Sequence, residues 1–125
     1  MASKQDLVAE LIQLDVSDWQ TMATFYQEVL GFEPIFLEPN DHYGWLQSGP
    51  IKLALRGGAP PLEGRGSRVS LLFRVENVEQ YKEDLERAGC QFYDTQLQPE
   101  GHSYQVAYFS DPEGNALAIF SDPDI

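Results

Sequence analysis

The sequence has a single cysteine, Cys90, so neither an intramolecular disulfide nor a thiolate metal cage is open to it, and a reducing compartment is its natural home. No apolar run approaches the roughly 20 residues that a membrane-spanning helix needs. Met1 to Asp6, with Lys4 as the only cation, lacks the apolar stretch of a signal peptide. Basic residues are scarce as well: 8 stand against 20 acidic ones, for a formal net charge of -12. Such a charge repels phosphate backbones and anionic membranes, so neither nucleic acid nor a membrane is expected as a partner. The absences together describe a soluble, cytoplasmic protein. Histidine is nearly missing too, since His42 and His102 stand apart and neither has a second histidine at ligand spacing.

What is present suffices for one domain. In 125 residues, 42% are hydrophobic and 12% aromatic, enough to bury a core without staples and too few for a multidomain enzyme. Five of the cations (Lys52, Arg56, Arg65, Arg68 and Arg74) lie mid-chain, and they read as the charges of a solvated linker. Leu11 to Val16 reads as a strand, with Ser17-Asp18 offering an N-cap to a helix that follows. Met22, Phe25, Tyr26, Val29 and Leu30 share one face of that helix, and Gly31 stops it. Glu33 to Leu37, His42 to Gln47 and Pro50 to Leu55 are short apolar-aromatic runs between turn-forming residues, which predicts three antiparallel strands. Arg56 to Ser67, rich in glycine and proline, is a linker.

The order then begins again. Arg68 to Val75 predicts a strand, Asn77 a cap, and Val78, Tyr81, Leu85 and Ala88 one helical face ending at Gly89. Three strands close the second half: Gln91 to Tyr93, Tyr104 to Ser110 and Ala116 to Phe120, with the turn Asp111-Pro-Glu-Gly-Asn115 between the last two. A shift of 59 residues lays Asp18 on Asn77 and a shift of 58 lays Gly31 on Gly89, so the chain is an internal repeat of two βαβββ units. The expected boundaries are 7–57 for the first module, 58–67 for the linker and 68–121 for the second.

Three segments in this order carry a family resemblance over about Glu10 to Phe120: Val16-Ser-Asp18, Phe25-Tyr-Gln-Glu-Val-Leu-Gly-Phe32, and Tyr108-Phe-Ser-Asp-Pro-Glu-Gly-Asn115. The chain resembles the vicinal oxygen chelate superfamily, which includes glyoxalase I, extradiol dioxygenases, fosfomycin-resistance enzymes and bleomycin-resistance proteins. The resemblance implies an α+β, glyoxalase-like fold in which two βαβββ modules curl into a cup-shaped mixed and antiparallel sheet. It also implies a homodimer, the usual closed symmetric assembly. Activity is not implied to the same degree, because one fold hosts many functions.

Metal-dependent members of the family place one ligand on the first strand and one on the last strand of each module. By motif these positions fall on Leu11 and Lys52 in the first half, and on Ser70 and Ala118 in the second. Leucine and alanine offer no donor atom and lysine brings a competing charge, so no metal and no cofactor is expected. Cys90 reads as packing, and Glu100 and Glu113 lack the setting of a general base, so no catalytic residue is assigned. Taken together with the four positions the resemblance implies, Leu11, Lys52, Ser70 and Ala118, strand alternation gives a ligand-binding lining that adds Gln13, Tyr43, Trp45, Arg56, His102, Tyr104 and Phe120. Lys52, with no carboxylate at i±2 on its strand, must find an acidic partner elsewhere or wait for a ligand anion. The sequence thus favours a metal-independent, bleomycin-resistance-like protein that binds a small anionic aromatic molecule in its cup. Two other readings stand beside it. One is a glyoxalase- or dioxygenase-type metalloenzyme with non-standard ligands, and the other is a regulatory module that docks a protein partner on its sheet.

Overall fold

In a computed structural model of the chain, residues 7–60, 70–93 and 105–121 are described. The first half runs β1 (Ile12–Asp15), α1 (Trp19–Thr24), β2 (Glu33–Glu38), β3 (Tyr43–Ser48) and β4 (Ile51–Arg56). The second runs β5 (Leu71–Arg74), α2 (Val78–Arg87), β6 (Phe92–Tyr93), β7 (Gln105–Ser110) and β8 (Ala116–Ser121). Each half forms its own mixed sheet, in the orders β1-β4-β3-β2 and β5-β8-β7-β6, and the chain divides into two compact units, Met1–Pro61 and Leu62–Ile125. The fold is therefore α+β and glyoxalase-like, with two βαβββ modules. Among the described residues, no helix is long and apolar enough to cross a membrane.

The helices begin where the sequence offers caps. Asp18 accepts hydrogen bonds from the Thr21 main-chain N–H at 3.1 Å and the Thr21 hydroxyl at 2.7 Å, and these two bonds, the hydroxyl foremost, hold its carboxyl below the usual range. Asn77 accepts from Gln80 N at 3.0 Å in the second module. The first helix does not stay α-helical to Gly31. From Phe25 to Val29 it widens into a π-helical turn, with Leu30 N donating to Phe25 O at 3.2 Å. Gly31 (φ +77°) and Gly89 (φ +103°) then take left-handed conformations just past each helix, where a side chain would be strained.

Packing follows the alternation of β4 and β8. Leu46, Leu53 and Leu55 are buried with Val16, Trp19, Met22 and Tyr26, and each large side chain so removed from water contributes about 1.5–3 kcal/mol. The Trp19 indole N–H, which cannot be left dry and unpaired, donates to Leu55 O at 3.1 Å and ties α1 to β4. In α2 the inward stripe is narrower than the spacing predicts. Val78 and Leu85 are buried, whereas Tyr81 is 48% exposed and Ala88 faces water, because only a short helix face meets β7 and β8. Of the predicted linker, Arg56 is the last residue of β4, Gly57 to Pro60 form no regular element, and the rest lies outside the described residues.

Candidate functional site

Residues opposite one another in a sheet point to the same side, so the pairing register shows which side chains gather. In the first sheet one rung is Gln13, Ala54, Trp45 and Phe36, and the next is Asp15, Arg56, Tyr43 and Glu38. Extending the register by one pair sets Leu11 beside Lys52, with Gln47 beyond it. The sequence-derived residues Leu11, Gln13, Tyr43, Trp45, Lys52 and Arg56 thus share one face. In the second sheet the corresponding rungs are Leu72, Ala118, Tyr108 and Tyr93, then Arg74, Phe120 and Val106. Ser70 precedes Leu72 by two residues and is exposed. His102 and Tyr104 lie outside the described residues.

Each module therefore repeats one motif: a fully buried alanine on the last strand, with two aromatic rings on the two successive strands to one side of it and Gln13 or Leu72 on the strand to the other. In the first module Phe36 lies 5.3 Å from Trp45 and 6.0 Å from Tyr43, centroid to centroid, within the range of favourable aromatic pairing. The Trp45 indole N–H donates to the Tyr43 hydroxyl at 2.8 Å, which fixes both rings. Ala54 and Ala118 have no exposed surface. Phe36, Tyr93, Tyr108 and Arg74 are the members that sequence reasoning missed. Phe36 follows an irregularity between Pro34 and Phe36 that shifts its alternation, and Tyr108 had been absorbed into the family motif.

The register also corrects the position on the last strand of the first module. Ile12 pairs with Leu53 and Leu71 with Leu117, and Ile12 and Leu71 are equivalent under the 59-residue shift, so Ala54 corresponds to Ala118. Lys52 corresponds to Ala116 instead. The sequence hides this because the chain between β6 and β7 is longer than that between β2 and β3, so a single shift fails for the last strands. The positions the family uses for metal are thus Leu11, Ala54, Ser70 and Ala118, and a serine hydroxyl is the only donor among these side chains. That set does not fit a divalent cation. Among the described residues, no three His, Cys, Asp or Glu side chains cluster as metal ligands either.

The cations on this face are paired, so Lys52 has an acidic partner and does not wait for a ligand anion. Its ammonium donates to Glu10 Oε1 at 2.6 Å, from a residue just ahead of β1 that a search along β4 alone does not reach. This hydrogen bond, with the attraction of the ammonium, holds the Glu10 carboxyl below its ordinary range. The Lys52 side chain is 32% exposed, so the charge also keeps part of its water. Arg56 Nε donates to Asp15 Oδ1 at 2.7 Å, and that bond raises the guanidinium pKa further. Beside this pair a groove of about 370 Å³ is lined by Asp15, Arg56 and Gly57 to Pro60. Cys90 is buried, and burial pushes its thiol pKa up, away from the thiolate a nucleophile needs.

Known proteins share this architecture. The uncharacterized protein YraH of Bacillus subtilis is 28% identical over 120 residues, which span 87% of this chain and 94% of YraH. An integron cassette protein from the Halifax Harbour sewage outfall metagenome superposes with a TM-score of 0.70 at 25% identity, covering 91% of this chain and 99% of the other. The fosfomycin resistance protein FosX of Listeria monocytogenes, in complex with Mn(II) and sulfate, superposes with a TM-score of 0.75 at 16% identity, over 92% and 90% of the two chains. At that identity the likeness concerns the fold alone. The sequence profile that matches residues 9–119 takes in both modules with their buried alanines, and the chain belongs to the Glyoxalase/Bleomycin resistance protein/Dioxygenase superfamily.

Proposed function

We propose that this protein binds a small planar organic molecule against the aromatic faces of its sheets without a metal, in the manner of a bleomycin-resistance-like sequestering protein. The observation that carries the reading is the alanine beside two rings, Ala54 with Trp45 and Phe36, and Ala118 with Tyr108 and Tyr93, at positions where the family places metal ligands. A methyl group leaves room above the sheet, and the rings beside it supply flat apolar surface with polar edges. Among the described residues, no group on these faces has the geometry of a nucleophile with its base, so the reading assigns binding and no catalytic step. The exposed apolar side chains Leu7, Val8, Ile35 and Ile51 support a homodimer, and the single buried thiol suits the cytoplasm.

Thermal denaturation against a panel of aromatic acids and their amides, with EDTA or with Mn(II), Ni(II) or Zn(II), tests the reading. A ligand at 100 times its Kd stabilises the native state by about 2.7 kcal/mol. The expected result is a rise in Tm with planar ligands that is equal in EDTA and in metal. Stabilisation that requires a divalent ion, or none with any planar compound, overturns it.

A further inference from the structure

Five cations fall among the described residues, and they are not alike. Lys52 is paired with Glu10, Arg56 with Asp15, and Arg87 with Glu83 and Asp84. Lys82 sits on α2, its ammonium 5.9 Å from the centroid of the Phe92 ring. Arg74 is the exception on a sheet face: its guanidinium carbon lies 5.0 Å from the centroid of Phe120, and no carboxylate among the described residues pairs with it.

The repeat shows how this came about. Arg74 occupies the place that Asp15 holds in the first module, and Phe120 the place of Arg56, since Asp15 pairs with Arg56 and Arg74 with Phe120 at the same rung. Where one module has an ion pair, the other has a guanidinium resting on a ring. The surroundings differ in the same sense. The first sheet's face carries Asp15, Glu33 and Glu38, whereas the described strand residues on the face of Arg74 include no acidic side chain. In a chain with 20 acids and 8 bases, a cation on a face whose described strand residues carry no acidic side chain suits an anion by charge complementarity. The ring under the guanidinium leaves its N–H edges free for a planar, two-pronged acceptor. Tyr108, one rung along and two strands across, offers ring surface to the remainder of the ligand.

We propose that Arg74, supported on Phe120, is the residue that recognises the carboxylate of a planar aromatic acid. This rests on the binding reading above and adds the identity of the charged group.

Titration of the full chain with 2-naphthoate and with the uncharged 2-naphthamide, followed by calorimetry, tests it. The naphthoate should bind at least tenfold more tightly. Arg74→Met should lower naphthoate affinity about tenfold to a hundredfold, the loss expected for a charged hydrogen-bonded contact, and leave naphthamide unchanged. Arg74→Lys should keep part of the preference, and Phe120→Leu should weaken it without abolishing it. Arg87→Met, which removes a cation from α2, should change nothing. Unaltered naphthoate affinity in folded Arg74→Met, or equal affinity of the wild type for both probes, overturns the assignment and leaves the binding reading standing. Failure of the wild type to bind either probe up to its solubility overturns both.

Discussion

Asp111 is 4% exposed, and its carboxylate accepts from Glu113 N at 3.0 Å, Asn115 N at 2.9 Å and Asn115 Nδ2 at 2.8 Å. These bonds close the turn that delivers β8, the strand carrying Ala118 and Phe120. Asp111→Ala removes all three and leaves two main-chain N–H groups without their acceptor. Hydrogen bonds to a charged acceptor contribute about 1.5–3 kcal/mol each, but water replaces part of the loss in a turn, so the sum is about 3–4 kcal/mol. Between the values for smaller and larger domains, that corresponds to a drop in Tm of about 10–15 °C. Asp111→Asn keeps one oxygen for the two main-chain donors and sets its amide against that of Asn115, so it should cost about 1–2 kcal/mol. Equilibrium urea denaturation followed by circular dichroism measures both, with an unchanged m-value showing that the transition remains comparable. The reasoning fails if Asp111→Ala costs less than about 1 kcal/mol, or if asparagine is as damaging as alanine.

Two further outcomes are expected. Tyr43→Phe leaves the Trp45 indole N–H without its acceptor and should lower stability by about 1 kcal/mol, with a shift in tryptophan emission; an unchanged urea midpoint would show that water takes the hydroxyl's place. Glu10, whose carboxyl binds protons less readily when folded, makes a contribution that is present near neutral pH and lost as pH falls through its lowered folded-state pKa. In a carboxyl NMR titration it should ionise below its ordinary 4.5 in the wild type and return to that value in Lys52→Met; the same midpoint in both would refute the pairing.

Much of the fold was legible because its signals are local. Asp18 and Asn77 cap helices, Gly31 and Gly89 end them, and alternation marks Tyr43 to Gln47 as a strand with two faces, so the six lining residues taken from the first module do share a face. The π-helical turn at Phe25–Val29 was not legible, because Met22 and Tyr26 satisfy an α-helical spacing whichever hydrogen bond follows. The site was legible in part. Pairing across strands is non-local, so neither Lys52 with Glu10 nor Ala54 with Ala118 can be read from one strand, and a repeat with unequal turns misleads by whole pairs. Arg74 was grouped with the mid-chain cations as a solvated charge although it falls in the strand predicted at Arg68 to Val75, because its place beside Phe120 follows only from pairing with β8.

The strand order also dictates how each module must be assembled. β2, β3 and β4 form a meander whose neighbours in sequence are neighbours in space, but β1 pairs in parallel with β4, as Asp15 does with Arg56 across 41 residues. Closing a loop of that length costs about 3 kcal/mol in chain entropy beyond a constant, with no pairing gained until it is closed. The strand that β1 needs is also the last to be synthesised in its module, and it lies inside the sheet with a neighbour on either side. A module emerging from the ribosome therefore holds an unpaired first strand and an exposed flank of β3 until residues 51–56 arrive, and then completes two pairings at once. The second module repeats this dependence on β8, so the two halves gain their cores in succession and each does so late.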